Sequence, residues 1–159
     1  MDLFAGLSEI YKEYETRIET IGSIDYFVIA NPFWDENIRI SYEETDGIIF
    51  FFSSHHAHFD RFDGVDMAES VDSLIEHVNG FLNRKIVAVE FFVEGTDVGG
   101  GSRYLEDIDM SSGESLLKSF AGDNVFFFES VYSSAKGLAS RCSIHGWNSA
   151  DNKDVDFTL

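Results

Sequence analysis

Ile38-Arg39-Ile40-Ser41-Tyr42-Glu43-Glu44-Thr45-Asp46-Gly47-Ile48-Ile49-Phe50-Phe51-Phe52 is the stretch on which the reading of this chain turns. Ile38, Ile40 and Tyr42 alternate with Arg39, Ser41 and Glu43, the period of a strand with one wet face. Asp46-Gly47 supplies a turn that tolerates positive φ, and Ile48 to Phe52 returns as a strand apolar on both faces. The spacing predicts a β-hairpin whose second strand is central, because an unbroken apolar run needs cover on both sides.

Outward from the hairpin, Leu3, Leu7, Tyr14, Ile18 and Ile21 recur at spacings of three, four or seven, which predicts an amphipathic helix closed by Gly22. Ile24 to Ala30 reads as a short strand ended by Asn31-Pro32, since proline cannot donate to a ladder. Val71, Leu74, Ile75, Val78 and Leu82 share one face of a second helix, entered through Asp66 with Glu69 three residues on, as in a capping box. Ile86 to Val93 is a strand with the lone polar residue Glu90, and Gly95 to Gly101 a flexible connection before a return strand at Ser102 to Asp107. Ser115 to Ala121 forms one or two helical turns, Val125 to Tyr132 and Leu138 to Trp147 read as strands, and Val155 to Leu159 as an edge strand. The expectation is an α+β fold, one domain over 1–159, with a mostly antiparallel sheet and two main helices packed on one side.

Composition bounds the function. The 29 Asp and Glu against 11 Lys and Arg leave a net charge of -18, which repels nucleic acid and accelerates capture of a basic partner. No apolar run approaches the length that spans a bilayer, and the first residues lack the pattern of a signal peptide, so the expected location is the cytoplasm, with no membrane partner. The lone Cys142 forms no intrachain disulfide.

Asp60, Asp63, Asp66, Glu69, Asp72 and Glu76 cluster around one loop and helix, opposed only by Arg61. The last four recur every three or four residues and make one stripe. A solvated helix face explains such a stripe, yet like charges at these spacings cost a few tenths of a kcal/mol each, which lends weight to a binding role. Trp34, Tyr42, Phe59 and Trp147 are candidate anchors, since aromatics supply much of interface energy.

His56-Ala57-His58-Phe59-Asp60-Arg61 resembles the H-x-H-x-D-H motif of the metallo-β-lactamase fold, with Arg61 where that family has histidine. On a strand, His56, His58 and Asp60 point to one side and His55 to the other, so the first three are the candidate ligands of a zinc ion in a small metal-dependent hydrolase. Packed, hydrogen-bonded histidines at a strand end are the competing account. Gly99-Gly100-Gly101 lacks the lysine and helix of a phosphate loop. Glu43-Glu44 and Asp107-Asp109 are carboxylate pairs that so acidic a chain produces by chance, and Cys142 with His145 matches no nucleophile motif.

From Ile38 to Val93, the order of hairpin, histidine-rich strand end, acidic loop, helix and long strand resembles small bacterial immunity proteins of polymorphic-toxin systems. The resemblance rests on Ile38 to Tyr42, Gly47 to Phe52, His56 to Phe59 and Ile86 to Phe92. It implies a non-catalytic cytoplasmic protein without a cofactor that inactivates a basic toxin, such as a nuclease, by covering its active site. The acidic cluster and the aromatics, rather than the resemblance, supply the expected partner surface: Asp60, Asp63, Asp66, Glu69, Asp72, Glu76, Trp34 and Phe59. A third class, an assembly subunit, would use an exposed edge near Val155 to Leu159.

Overall fold

The computed structural model describes residues 2–59 and 66–159. It is an α+β fold with four α-helices and nine strands among the described residues, every strand pairing antiparallel. The chain divides into two compact units, Met1–Asn79 and Gly80–Leu159.

The first unit opens with α1 (Leu3–Ile10), capped by Asp2, whose Oδ1 accepts from the backbone N–H groups of Phe4 and Ala5 at 3.1 and 3.3 Å. The helix expected to run to Gly22 stops after Ile10, because Thr16–Ile21 forms strand β1 instead. The reason lies in a second period within the same residues. Thr16, Ile18 and Thr20 alternate with Arg17 and Glu19, and three of the first three are β-branched, so sheet pairing outweighs the helical spacing. Gly22, at φ +66, is the first residue of the two-residue turn that joins Ile21 to Ile24, not a helix stop.

β2 (Ile24–Ile29), β3 (Ile38–Glu43), β4 (Gly47–Phe52) and β5 (His55–Phe59) complete a five-stranded meander in the order β1-β2-β3-β4-β5. The expected hairpin is β3 and β4, with Ile40 opposite Phe50 and Gly47 at φ +72, and β4 is interior to the sheet as its apolar run requires. Register places Phe27, Ile29, Ile38, Ile40, Ile48, Phe50 and Phe52 on one face, and all are fully buried. α1 covers this face through Phe4, whose ring lies 6.2 Å from that of Phe27, tilted by 32°. α2 (Met67–Leu82) covers it through His77, edge-on to Phe50 at 4.8 Å. The predicted cap of α2 is present: Asp66 Oδ1 accepts from Ala68 and Glu69 N–H at 2.8 and 3.0 Å.

The second unit is a four-stranded sheet in the order β7-β6-β8-β9, built from β6 (Ile86–Val93), β7 (Thr96–Tyr104), β8 (Ser140–His145) and β9 (Lys153–Phe157). The glycine run is not a loop. Glu94 and Gly95, at φ +49 and +80, make the tight turn, and Gly99 to Gly101 belong to β7. The missing side chains admit the rings above them: a Cβ at Gly99 would sit 3.2 Å from Phe127 and one at Gly101 3.4 Å from Phe120.

Those rings come from α3 (Gly113–Ala121) and α4 (Val125–Ala135), capped by Ser112 and Asn124. The strand expected at Val125 to Tyr132 is therefore helical. Its Val-Phe-Phe-Phe start favours a strand locally, but Phe127, Phe128, Val131 and Ala135 share the face turned to the core, and the Asn124 cap begins the turn. Val87, Val89, Phe91, Leu116, Leu117, Phe120, Val131, Cys142 and Ile144 form this unit's core. The bidentate pair of Arg84 with Asp151, at 2.8 and 2.7 Å, ties the entry of β6 to the turn before β9.

Candidate partner-binding surface

α2 sets out its residues by burial. Ser70, Leu74 and Val78 are buried, while Asp66, Glu69, Asp72 and Glu76 are all exposed. Glu69, Asp72 and Glu76 occupy the arc opposite Leu74 and Val78, so the stripe read from the sequence is an outward row. Among the described residues none of the four carboxylates is in an ion pair. The cations that do pair are engaged elsewhere: Lys12 with Glu9, Arg17 and Arg39 with Glu19, Arg84 with Asp151, Lys118 with Glu114, and Arg141 with Asp154 and Asp156. Among the described residues the row therefore projects its charge outward with no cation paired to it. Asp60 and Asp63 lie outside the described residues.

Trp34 is half-buried, its ring edge-on to Phe52 at 6.0 Å. Phe59 is also half-buried, 5.5 Å from the His77 ring. Both spend part of their apolar surface on packing, as does Tyr42, while Trp147 is buried. A recess that the sequence did not announce lies in the same unit. It encloses about 450 Å3 between Asp2, Leu3 and Phe4 at the start of α1, Asp25 and Tyr42 on the sheet, and Met67 and Val71 on α2. Its walls are apolar and its rim carries two exposed carboxylates, a combination that suits the aliphatic stem and cationic head of a lysine or arginine. Asp2, Asp25 and the Met67–Val71 pair are far apart in sequence, and no local pattern could have grouped all three.

The histidines separate as alternation demands. His56 and His58 share the exposed face of β5, with ring centroids 5.4 Å apart. His55 turns to the core face, 5.8 Å from His77 and 6.1 Å from Phe50. Burial pulls the His55 imidazole down to about 4, with smaller contributions from His77 and His56, and burial alone does the same to His77. His55 and His77 are consequently neutral packing groups near neutrality.

Among the described residues no set of three or more His, Cys, Asp or Glu side chains is placed to hold a metal ion. The described donors of the expected site are His56 and His58, one short of the three protein ligands a catalytic zinc takes, and Asp60 lies outside the described residues. Cys142 is a core residue whose thiol is pushed up to about 12, chiefly by burial, so it is not a thiolate nucleophile. It faces the helices from β8, and His145, three residues on, occupies the opposite face.

No family model, curated protein or solved structure matches this chain.

Proposed function

We propose that this chain is a non-catalytic acidic binding protein of the immunity type, which neutralises a basic toxin in the bacterial cytoplasm by covering its active site. The observation that carries the reading is the exposed row of Glu69, Asp72 and Glu76 on the outer arc of α2, paired with no cation among the described residues, in a chain of net charge -18. A nuclease is the toxin class such a surface opposes best, because carboxylates can occupy the basic groove that otherwise holds phosphates. The row accelerates encounter, and the recess between α1 and α2 receives a basic side chain whose stem packs on Leu3, Phe4, Met67 and Val71.

The triple variant Glu69→Lys, Asp72→Lys, Glu76→Lys tests this reading, since all three side chains are exposed and outside the core. Association with a basic nuclease captured by the wild type should slow by at least about tenfold at low salt. An unchanged rate removes the row from the account.

His56 and His58, together on an exposed face, keep a second reading open to measurement, that of a small metal-dependent hydrolase. It requires zinc or another transition metal in stoichiometric amount in protein purified without a histidine tag. Metal-free protein that still binds its partner supports the first reading.

A further inference from the structure

β1 is an edge of the five-stranded sheet with no proline, no lysine and no irregularity in its register with β2, and the two charges it does carry, Arg17 and Glu19, are opposite in sign. Ile18 is 51% exposed and Ile21 55%. The two-residue turn at Gly22-Ser23 makes Ile21 and Ile24 a hydrogen-bonded pair, so the odd-numbered residues of β1 bond inward to β2. The bond from Ala30 N–H to Glu15 O, at 2.9 Å, continues the same alternation. Thr16, Ile18 and Thr20 therefore turn their backbone N–H and C=O groups to the open side.

The sequence along that edge is Thr16-Arg17-Ile18-Glu19-Thr20, which is symmetric about Ile18 except that the two flanking charges are opposite in sign. An antiparallel copy related by a two-fold axis at Ile18 places Ile18 against Ile18, Thr16 against Thr20 and Arg17 against Glu19. This register satisfies the three outward residues of both strands at once, in a ladder of six backbone hydrogen bonds. Arg17 and Glu19 fall at the non-hydrogen-bonded positions, where facing side chains lie closest. Within one copy they already form an ion pair, with Arg17 Nε to Glu19 Oε1 at 2.7 Å, and Arg39 Nε lies 3.6 Å from Glu19 Oε2. Two copies turn this pair into a ring of alternating charges.

We infer that β1 is a self-association edge, through which two copies of this chain join their five-stranded sheets into one continuous ten-stranded sheet across a two-fold axis at Ile18. The opposite end of the chain shows what an edge unsuited to this looks like: a two-fold centred on Val155 of β9 would set Asp154 against Asp156, like charge against like. The dimer opposes a general repulsion, because each copy carries -18. Moderate salt screens that repulsion over distances beyond about 8 Å and so strengthens self-association, the reverse of its effect on capture of a basic partner. The inference stands apart from the proposed binding role, whose carboxylates lie on α2.

Analytical ultracentrifugation of the full chain over a concentration series, in moderate salt, reads the outcome. The wild type should approach twice 17.9 kDa. Arg17→Glu alone and Glu19→Arg alone each place like charges opposite one another and should raise the dimer dissociation constant about tenfold or more. An equimolar mixture of the two variants should recover the dimer, since each strand then faces the opposite charge, and the double variant Arg17→Glu, Glu19→Arg should dimerise like the wild type. Should either single variant fail to fold, Ile18→Lys, at a half-exposed position on the two-fold, gives the same disruption by another route. A wild type that stays monomeric throughout, or single variants that dimerise as tightly as the wild type and gain nothing on mixing, would overturn the inference.

Discussion

Replacing His77 with Phe should flatten the acid limb of the stability curve. His77 lies edge-on to Phe50 at 4.8 Å and 5.5 Å from Phe59, so a phenyl ring can occupy the same place. Burial lowers its imidazole from 6.5 in the unfolded chain to about 4 in the folded one. Between those values the unfolded state binds a proton that the folded state refuses, so stability falls as pH falls from 6.5 towards 4 and is fully present above 6.5. At about 1.4 kcal/mol per pH unit the gap amounts to at most about 3 kcal/mol, and partial exposure of the ring reduces this to about 1–2 kcal/mol.

Urea unfolding followed by Trp34 and Trp147 fluorescence, for wild type and His77→Phe across that pH range, isolates the imidazole because all carboxylate contributions are common to both. The wild type should lose about 1–2 kcal/mol more than the variant on acidification. His55 adds to this difference, since His77 is one of the groups that lower it and its removal eases that effect. Parallel curves would mean that His77 takes up its proton alike in the folded and unfolded chain and is not held neutral by burial.

Gly100→Ala should destabilise the second unit by about 1–3 kcal/mol in thermal unfolding, because the added Cβ meets the carbonyl oxygen of Val89 and backbone must move. Asp66→Ala removes the side-chain acceptor for Ala68 and Glu69 N–H and should cost about 1 kcal/mol by chemical denaturation. Cys142, buried between β8 and the helices of its unit, should react with a maleimide only at the rate of global opening, so that labelling accelerates in step with urea-induced unfolding.

The sequence was most informative where one period stood alone. The β3–β4 hairpin, α2 with its Asp66 cap, β6 and β8 were each legible because apolar residues repeated at a single spacing or a cap residue marked the start, while the last strand, expected at Val155 to Leu159, is Lys153–Phe157. It misled where two periods coexisted. Leu3, Leu7, Tyr14, Ile18 and Ile21 fit a helix, but Thr16 to Thr20 also alternate, and pairing with β2 decided between them. Val125 to Tyr132 has the composition of a strand and the spacing of a helix, and packing of Phe127 and Val131 decided it.

The candidate surface divides in the same way. The exposed row on α2 follows from helical spacing alone, and the opposed facings of His55 and of His56 with His58 follow from strand alternation. The recess between Asp2, Asp25, Met67 and Val71 depends on how α1 and α2 lie on the sheet, which no local pattern encodes. The symmetric edge of β1 was hidden for a related reason, since its two-fold pattern has meaning only once Thr16–Ile21 is a strand.

Capture of a basic protein through the α2 row is measured by immobilising wild type and the Glu69→Lys, Asp72→Lys, Glu76→Lys variant side by side in native-organism lysate at low and high salt. The wild type should retain at low salt a stoichiometric basic protein that high salt releases, that the variant does not hold, and whose own activity is inhibited when the wild-type chain is added back. Equal retention on both columns, or a retained protein whose activity the wild-type chain leaves untouched, would contradict the proposed function.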